Sequence, residues 1–72
     1  MTEFDSILLH INGKDREVPG GLTVVGLLEH LELNPALVVV ELNREILDRN
    51  RYDEVTVARG DVLELVHFVG GG

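Results

Sequence analysis

The sequence contains no cysteine, and this absence excludes several kinds of chemistry at once. A chain without cysteine forms no disulfide, offers no thiolate nucleophile and supplies no cysteine ligand to zinc or an iron–sulfur cluster. Long apolar runs are also missing, so no stretch has the length of a membrane span, and no basic-then-apolar signal opens the chain. These absences predict a soluble, cytoplasmic protein with no membrane partner.

Basic residues are scarce, with 6 Lys and Arg against 13 Asp and Glu and a net charge of −7. Nucleic acid is therefore a poor partner, because phosphate contacts need Lys and Arg. A basic patch on another protein fits better, since complementary fields speed encounter. The alternative, that acidity only keeps the domain soluble, stays open. Lys14 is the only lysine, so chains of the protein linked to itself are not expected.

Familiar catalytic signatures are missing as well. The sequence has no phosphate-binding loop, no nucleophile elbow and no dinucleotide fingerprint, and its acids are scattered singly. His10 and His67 could face each other if the first and last strands are neighbours, but a third zinc ligand is not evident. We therefore predict no catalytic residue and no metal site.

The first half of the chain predicts a hairpin and one helix within a single domain, residues 1–72. Residues 6–11 alternate, and Asn12-Gly13 is the strongest short signal for a type I′ turn. Thr23 is a good N-cap, and Asn34-Pro35 is expected to end the helix, with Asn34 in the left-handed cap position. Gly26 predicts close approach of the helix to the sheet, with a docking surface at the helix as the less favoured alternative. One helical face is apolar: Val24, Leu27, Leu28 and Leu31.

The second half predicts further strands around an irregular segment. Residues 37–42 form a third strand with Val38 and Val40 inward, and a turn leads to a short strand near residues 45–47. Residues 48–59 are polar and irregular, with Tyr52 as their aromatic anchor. Gly60-Asp61 then forms the turn into the last strand. The expected fold class is α+β, a mixed sheet of four to five strands with one helix packed across it.

The last twelve residues organise the chain. Residues 62–69 predict a strand with Leu63 and Leu65 inward, while Val66 and Phe68 face the other way as a partner-docking patch, unless residues 48–59 cover them. Gly70, Gly71 and Gly72 follow. Because glycine loses the most entropy on ordering, they predict a thin, mobile arm with a carboxylate at its tip. We interpret that carboxylate as the functional group.

Taken together, these features resemble those of a known protein family. Over residues 6–72 the chain is similar to the ThiS sulfur-carrier family of thiamine biosynthesis, small ubiquitin-like β-grasp proteins. The matching marks are Asn12-Gly13, Thr23-Val24-x-x-Leu27-Leu28, Val40-x-Leu42-Asn43-x-x-Ile46, Gly60-Asp61, and His67-Phe68-Val69-Gly70-Gly71-Gly72. The most telling mark is the final strand that runs into terminal glycines.

The resemblance implies a specific chemistry. A ThiF- or E1-like adenylyltransferase uses ATP and Mg²⁺ to adenylate Gly72, while Gly70 and Gly71 thread the channel to its active site. Sulfur from a cysteine desulfurase or a persulfide then displaces AMP. The resulting thiocarboxylate passes sulfur to a ThiG-like thiazole synthase. The carrier itself catalyses nothing and binds no cofactor.

Three alternatives share parts of this pattern. A MoaD-like carrier for molybdopterin synthase has the same fold, tail and activation. A ubiquitin-like modifier uses the same glycines but forms an amide on a target lysine. A binding module similar to the TGS domain fits residues 18–24, but it leaves the terminal glycines unexplained.

Overall fold

The computed structural model describes residues 5–68, which form a five-stranded sheet with one helix packed on it. The sheet order is β2-β1-β5-β3-β4; β1 and β5 are parallel, and the other neighbouring pairs are antiparallel. The elements are β1 (Ser6–Ile11), β2 (Lys14–Pro19), α1 (Val24–His30), β3 (Val38–Leu42), β4 (Glu45–Ile46) and β5 (Val62–His67), with 3₁₀ turns at Pro35–Leu37 and Arg49–Arg51. The predicted α+β plan is confirmed.

Both hairpins turn through residues with positive φ. Asn12 and Gly13 have φ of 52° and 82°, as a type I′ turn requires, and the predicted hairpin is confirmed. Asn43 and Arg44, with φ of 50° and 75°, make the second such turn. Pro19 ends the edge strand β2, a position where a missing backbone donor is tolerated.

Helix α1 begins as predicted and buries the predicted face. The Thr23 hydroxyl accepts a hydrogen bond from the Gly26 amide at 3.1 Å, which caps the helix. The buried core joins α1 to the inner face of the sheet and to the segment before β5; it consists of Leu9, Ile11, Val18, Val24, Leu27, Leu28, Val38, Val40, Tyr52, Val57 and Leu63. With seven residues, α1 is far too short for a bilayer, and residues 5–68 hold no helix that could span one.

The predicted helix end at Asn34 is wrong. Glu32 takes the left-handed position, with φ of 64°, and the amide of Leu33 reaches back to the carbonyl of Leu28 at 2.8 Å. This is a Schellman ending without its usual glycine. Asn34 instead has extended backbone and accepts from the Ala36 amide at 3.0 Å, so it caps the following 3₁₀ turn.

The predicted reason for Gly26 is also wrong. The atoms nearest to a Cβ built at Gly26 are Leu22 Cδ2 at 3.4 Å, Thr23 Oγ1 at 3.5 Å and Leu22 Cβ at 3.7 Å. These are ordinary van der Waals distances within the same chain segment, and none involves a strand. The fold therefore does not need a glycine at this position.

Tyr52 anchors the irregular segment, as predicted. Its side chain is 2% exposed, and its hydroxyl donates to the Val38 carbonyl at 2.8 Å while accepting from the Val40 amide at 3.1 Å. Arg49 also donates to the Val38 carbonyl, at 3.2 Å, and its guanidinium lies over the Tyr52 ring. Because the residue pairs between β3 and β4 cover only Glu41 and Leu42, the Tyr52 hydroxyl adds hydrogen bonds to Val38 and Val40 on that side of β3.

Candidate functional site: strand β5 and the open face of the sheet

Strand β5 lies at the centre of the sheet, and on each side an asparagine side chain forms hydrogen bonds with its backbone. The Asn12 side chain accepts from the Leu65 amide at 2.7 Å and donates to the Leu65 carbonyl at 3.2 Å. The Asn43 carboxamide oxygen accepts from the Val62 amide at 2.9 Å. The sequence showed both asparagines as turn residues, but their side-chain partners depend on the sheet order and were missed.

The described chain ends next to β3. The Phe68 amide donates to the Leu37 carbonyl at 2.8 Å, so Phe68 continues the pairing of β5 by one residue. The predicted tail residues Gly70 and Gly71 and the predicted modification site Gly72 lie outside the described residues.

The sheet face opposite α1, here called the open face, carries the exposed apolar side chains. Val66 and Phe68 are 53% and 54% exposed, so the alternative that residues 48–59 cover them is wrong. The register places Leu8, Val62 and Ile46 on the same face, and Leu37 adjoins it through its bond to Phe68. These are the six large apolar side chains that are exposed within residues 5–68.

The open face is larger than the docking patch that the sequence indicated. Leu8 and Val62 occupy the outward positions that the alternation of residues 6–11 and 62–69 indicates. Ile46 and Leu37 were missed; pairing Glu41 with Ile46 across the Asn43-Arg44 turn is the signal that places Ile46 there. The face therefore extends from β1 to β4 across four strands.

The charges on the open face have one sign. Carboxylates stand among the apolar side chains, at Asp15 and Glu17 on β2, Glu41 on β3 and Glu64 on β5. No strand position of this face within residues 5–68 holds Lys or Arg. An apolar surface with acids around it is complementary to an apolar surface with basic residues around it.

The two strand histidines do not face each other. The parallel register puts His10 opposite Val62, and its imidazole contacts the Asp15 carboxylate. His67 lies opposite Val38, at the other end of β5. The suggested pairing is wrong because the register of β1 against β5 offsets the two residues along the sheet. Residues 5–68 contain no cluster of three side chains suited to a metal ion.

Comparison with known proteins agrees with this architecture. The model of the ThiS family matches residues 9–72, a span that includes the three terminal glycines. The sulfur carrier protein ThiS of Bacillus subtilis is 44% identical over 68 residues, covering 90% of this chain and 100% of that protein. The chain belongs to the ThiS family.

A solved ThiS structure supports the fold and the function. The crystal structure of the thiamine biosynthesis protein ThiS from Geobacter metallireducens matches with a TM-score of 0.77 and 42% identity, covering 92% of this chain and 100% of that one. The fold is thus the ubiquitin-like β-grasp. The chain is a sulfur carrier of thiamine biosynthesis, a carrier rather than a catalyst, and the molybdopterin and TGS alternatives give way to this assignment.

Two longer relatives are thiazole synthases. Those of Magnetococcus marinus and Paramagnetospirillum magneticum are 39% and 44% identical to this chain over 64 residues. The match covers 89% of this chain but only 20% of each synthase. A segment similar to this carrier therefore makes up about a fifth of each of those proteins.

Proposed function

We propose that the carboxylate of Gly72 is the group that carries sulfur, as a thiocarboxylate. The observation that supports this most directly is the family match, which extends through Gly70, Gly71 and Gly72. The described structure adds strand β5, which ends at His67, two residues before Val69, and is hydrogen-bonded on both sides by asparagine side chains.

A carboxylate is a poor electrophile, so the sulfur can be added only after activation. A ThiF- or E1-like adenylyltransferase, using ATP and Mg²⁺, joins the Gly72 carboxylate to AMP and releases pyrophosphate. The terminal sulfur of a persulfide, generated by a cysteine desulfurase, then attacks the carbonyl, and AMP leaves. A thiol cleaves the resulting acyl disulfide, which releases the thiocarboxylate and leaves a disulfide on the donor side.

Docking and reaction take place at separate positions on the carrier. Three glycines span at most roughly 10 Å when fully extended, and without a Cβ they fit a channel that side chains would block. Val66 and Phe68, exposed apolar side chains close to the C-terminal end of the described residues, contact the activating enzyme and hold the domain at the mouth of that channel. The thiazole synthase relatives support a ThiG-like synthase as the recipient of the sulfur.

The test is intact-mass analysis of the carrier after incubation with ATP, Mg²⁺, the activating enzyme and a sulfur donor. Exchange of one oxygen for sulfur at Gly72 is expected. Deleting Gly72 shortens the tail, and so the reach of its terminal carboxylate, by at most about 3.6 Å. Because reacting atoms must meet within about 3–3.5 Å, the deletion should nearly abolish activation. Gly71→Val should fail because its branched side chain does not fit the channel.

Both tail variants should unfold at the wild-type temperature, because each keeps every core residue of residues 5–68. A conjugate linked to a target lysine would show that the protein is a modifier. An unchanged mass with a cognate activating enzyme, or full activity without Gly72, would refute the proposal.

A further inference from the structure

Within residues 5–68, strand β5 has a free backbone edge at its C-terminal end. Its even-numbered residues bond toward β3: the Asn43 amide donates to the Val62 carbonyl at 2.7 Å, and the Phe68 amide donates to Leu37. Its odd-numbered residues bond toward β1, where the carbonyl of Leu63 accepts from the Asn12 amide at 2.9 Å. Since backbone groups alternate along a strand, the amide and carbonyl of His67 point toward the β1 side.

No strand of the described residues lies beside His67 on that side. The parallel pairing of β1 with β5 ends at Ile11 and Leu63. The chain then turns away through Asn12 and Gly13, and the Asn12 side chain reaches only as far as Leu65. The central strand of the sheet therefore becomes an edge strand over its last residues, and His67 is exposed there.

We propose that an extended segment of the activating enzyme adds to β5 at this edge and pairs with the backbone of His67. The inference rests on the proposed function, because the occupant must be the protein that receives the tail. The edge leads within three residues to glycines, which offer a partner only their backbone groups and the terminal carboxylate. Strand addition recognises a chain through its backbone groups.

The surroundings of the edge fit such an addition. Val66 and Phe68, on either side of His67, project onto the open face, so an added segment would lie next to the apolar patch that docks the same enzyme. The edge is also short, because Asn12 closes it at Leu65. A short edge limits unwanted pairing between carriers.

The experiment compares His67→Pro with His67→Ala. Both remove the imidazole, but only proline removes the amide N–H, which no group of the described residues accepts. Proline is tolerated where a strand N–H faces solvent, so the two variants should unfold at similar temperatures. At limiting carrier concentration, the proline variant should show adenylation slower by about 3- to 10-fold, as expected for one lost hydrogen bond; the alanine variant should match the wild type.

Amide hydrogen exchange of the wild-type carrier gives an independent measurement. The Phe68 amide should exchange slowly in the free carrier because it is bonded to Leu37, whereas the His67 amide should become slow only in the complex with the activating enzyme. Equal adenylation rates for the two variants, or a His67 amide that stays fast in the complex or slows only with thiazole synthase, would overturn the inference. The mass change of the wild-type carrier would still stand in each case, so the proposed function is tested separately.

Discussion

The two faces of the sheet differ sharply although the same strands build both. On the inner face, Leu63 of β5 is 0% exposed and packs in the core with Leu9 and Leu28. On the open face, Val66 and Phe68 of the same region are more than half exposed. Side chains alternate between the two faces of a strand, so β5 can serve stability with inward side chains such as Leu63 and recognition with outward side chains such as Val66 and Phe68.

This division has a testable consequence. Substitutions on the inner face should change the free energy of unfolding, and substitutions on the open face should change partner binding, with little crossover between the two. The most informative variants are those that could change both the free energy of unfolding and partner binding. They show whether the two faces have separate roles.

The largest effect is expected for Leu28→Ala on the inner side. Leu28 is fully buried in the core, and truncating such a leucine costs about 2–5 kcal/mol. A domain of this length has a total stability of roughly 4–11 kcal/mol, so thermal unfolding should shift markedly. An unfolding temperature close to that of the wild type would mean that the α1 face contributes less than its burial indicates.

Phe68→Ala should weaken partner binding and leave the free energy of unfolding nearly unchanged. Loss of an aromatic anchor at an interface commonly costs more than 1 kcal/mol, so we expect the Kd for the activating enzyme to rise about tenfold, measured by calorimetry. The unfolding free energy should change by no more than about 0.5 kcal/mol, as for other exposed positions. Unchanged affinity, or global unfolding of the variant, would show that Phe68 is not an interface residue.

Glu64→Lys should stabilise the fold and slow association with the activating enzyme. Glu64 lies directly opposite Glu41, and like charges in a cross-strand pair are destabilising, so the substitution should stabilise the fold by about 0.2–1 kcal/mol. It should also slow association with the activating enzyme about three- to tenfold at low salt, because a basic residue enters an acidic surface.

Glu29→Lys is the matched control for this charge reversal. Glu29 is exposed on α1, away from the open face, and its substitution changes the net charge equally. If the control slows association as much as Glu64→Lys does, net charge alone steers the partner. A salt-independent association rate in the wild type would exclude electrostatic steering altogether.

Local patterns predicted most of the fold. Alternation predicted which faces of β1, β3 and β5 are buried, Asn12-Gly13 predicted its turn, and Thr23 predicted the start of α1. Each of these depends on residues close together in sequence. The same alternation predicted the outward direction of Val66 and Phe68, which is why part of the candidate site was visible before the structure.

The errors came from features that depend on tertiary register or on local competition. The offset of His10 from His67 is set by how β1 and β5 align, and no local pattern contains it. The side-chain bonds of Asn12 and Asn43 to β5 require the sheet order. At the end of α1, Glu32 rather than Asn34 takes the left-handed position, and Asn34 caps the following 3₁₀ turn instead.

The smallest expected effect is a gain in stability from Gly26→Ala. Glycine inside a helix is less favourable than alanine by about 0.5–1 kcal/mol. The added methyl group would contact Leu22 and Thr23 at ordinary distances, and Gly26 has no positive φ that alanine would strain. Thermal unfolding should therefore rise slightly, and adenylation should keep its wild-type rate, because Gly26 is on α1 and not on the open face. A more stable variant that is activated more slowly would show that the glycine leaves room for a partner at the helix, and recognition would then extend beyond the open face.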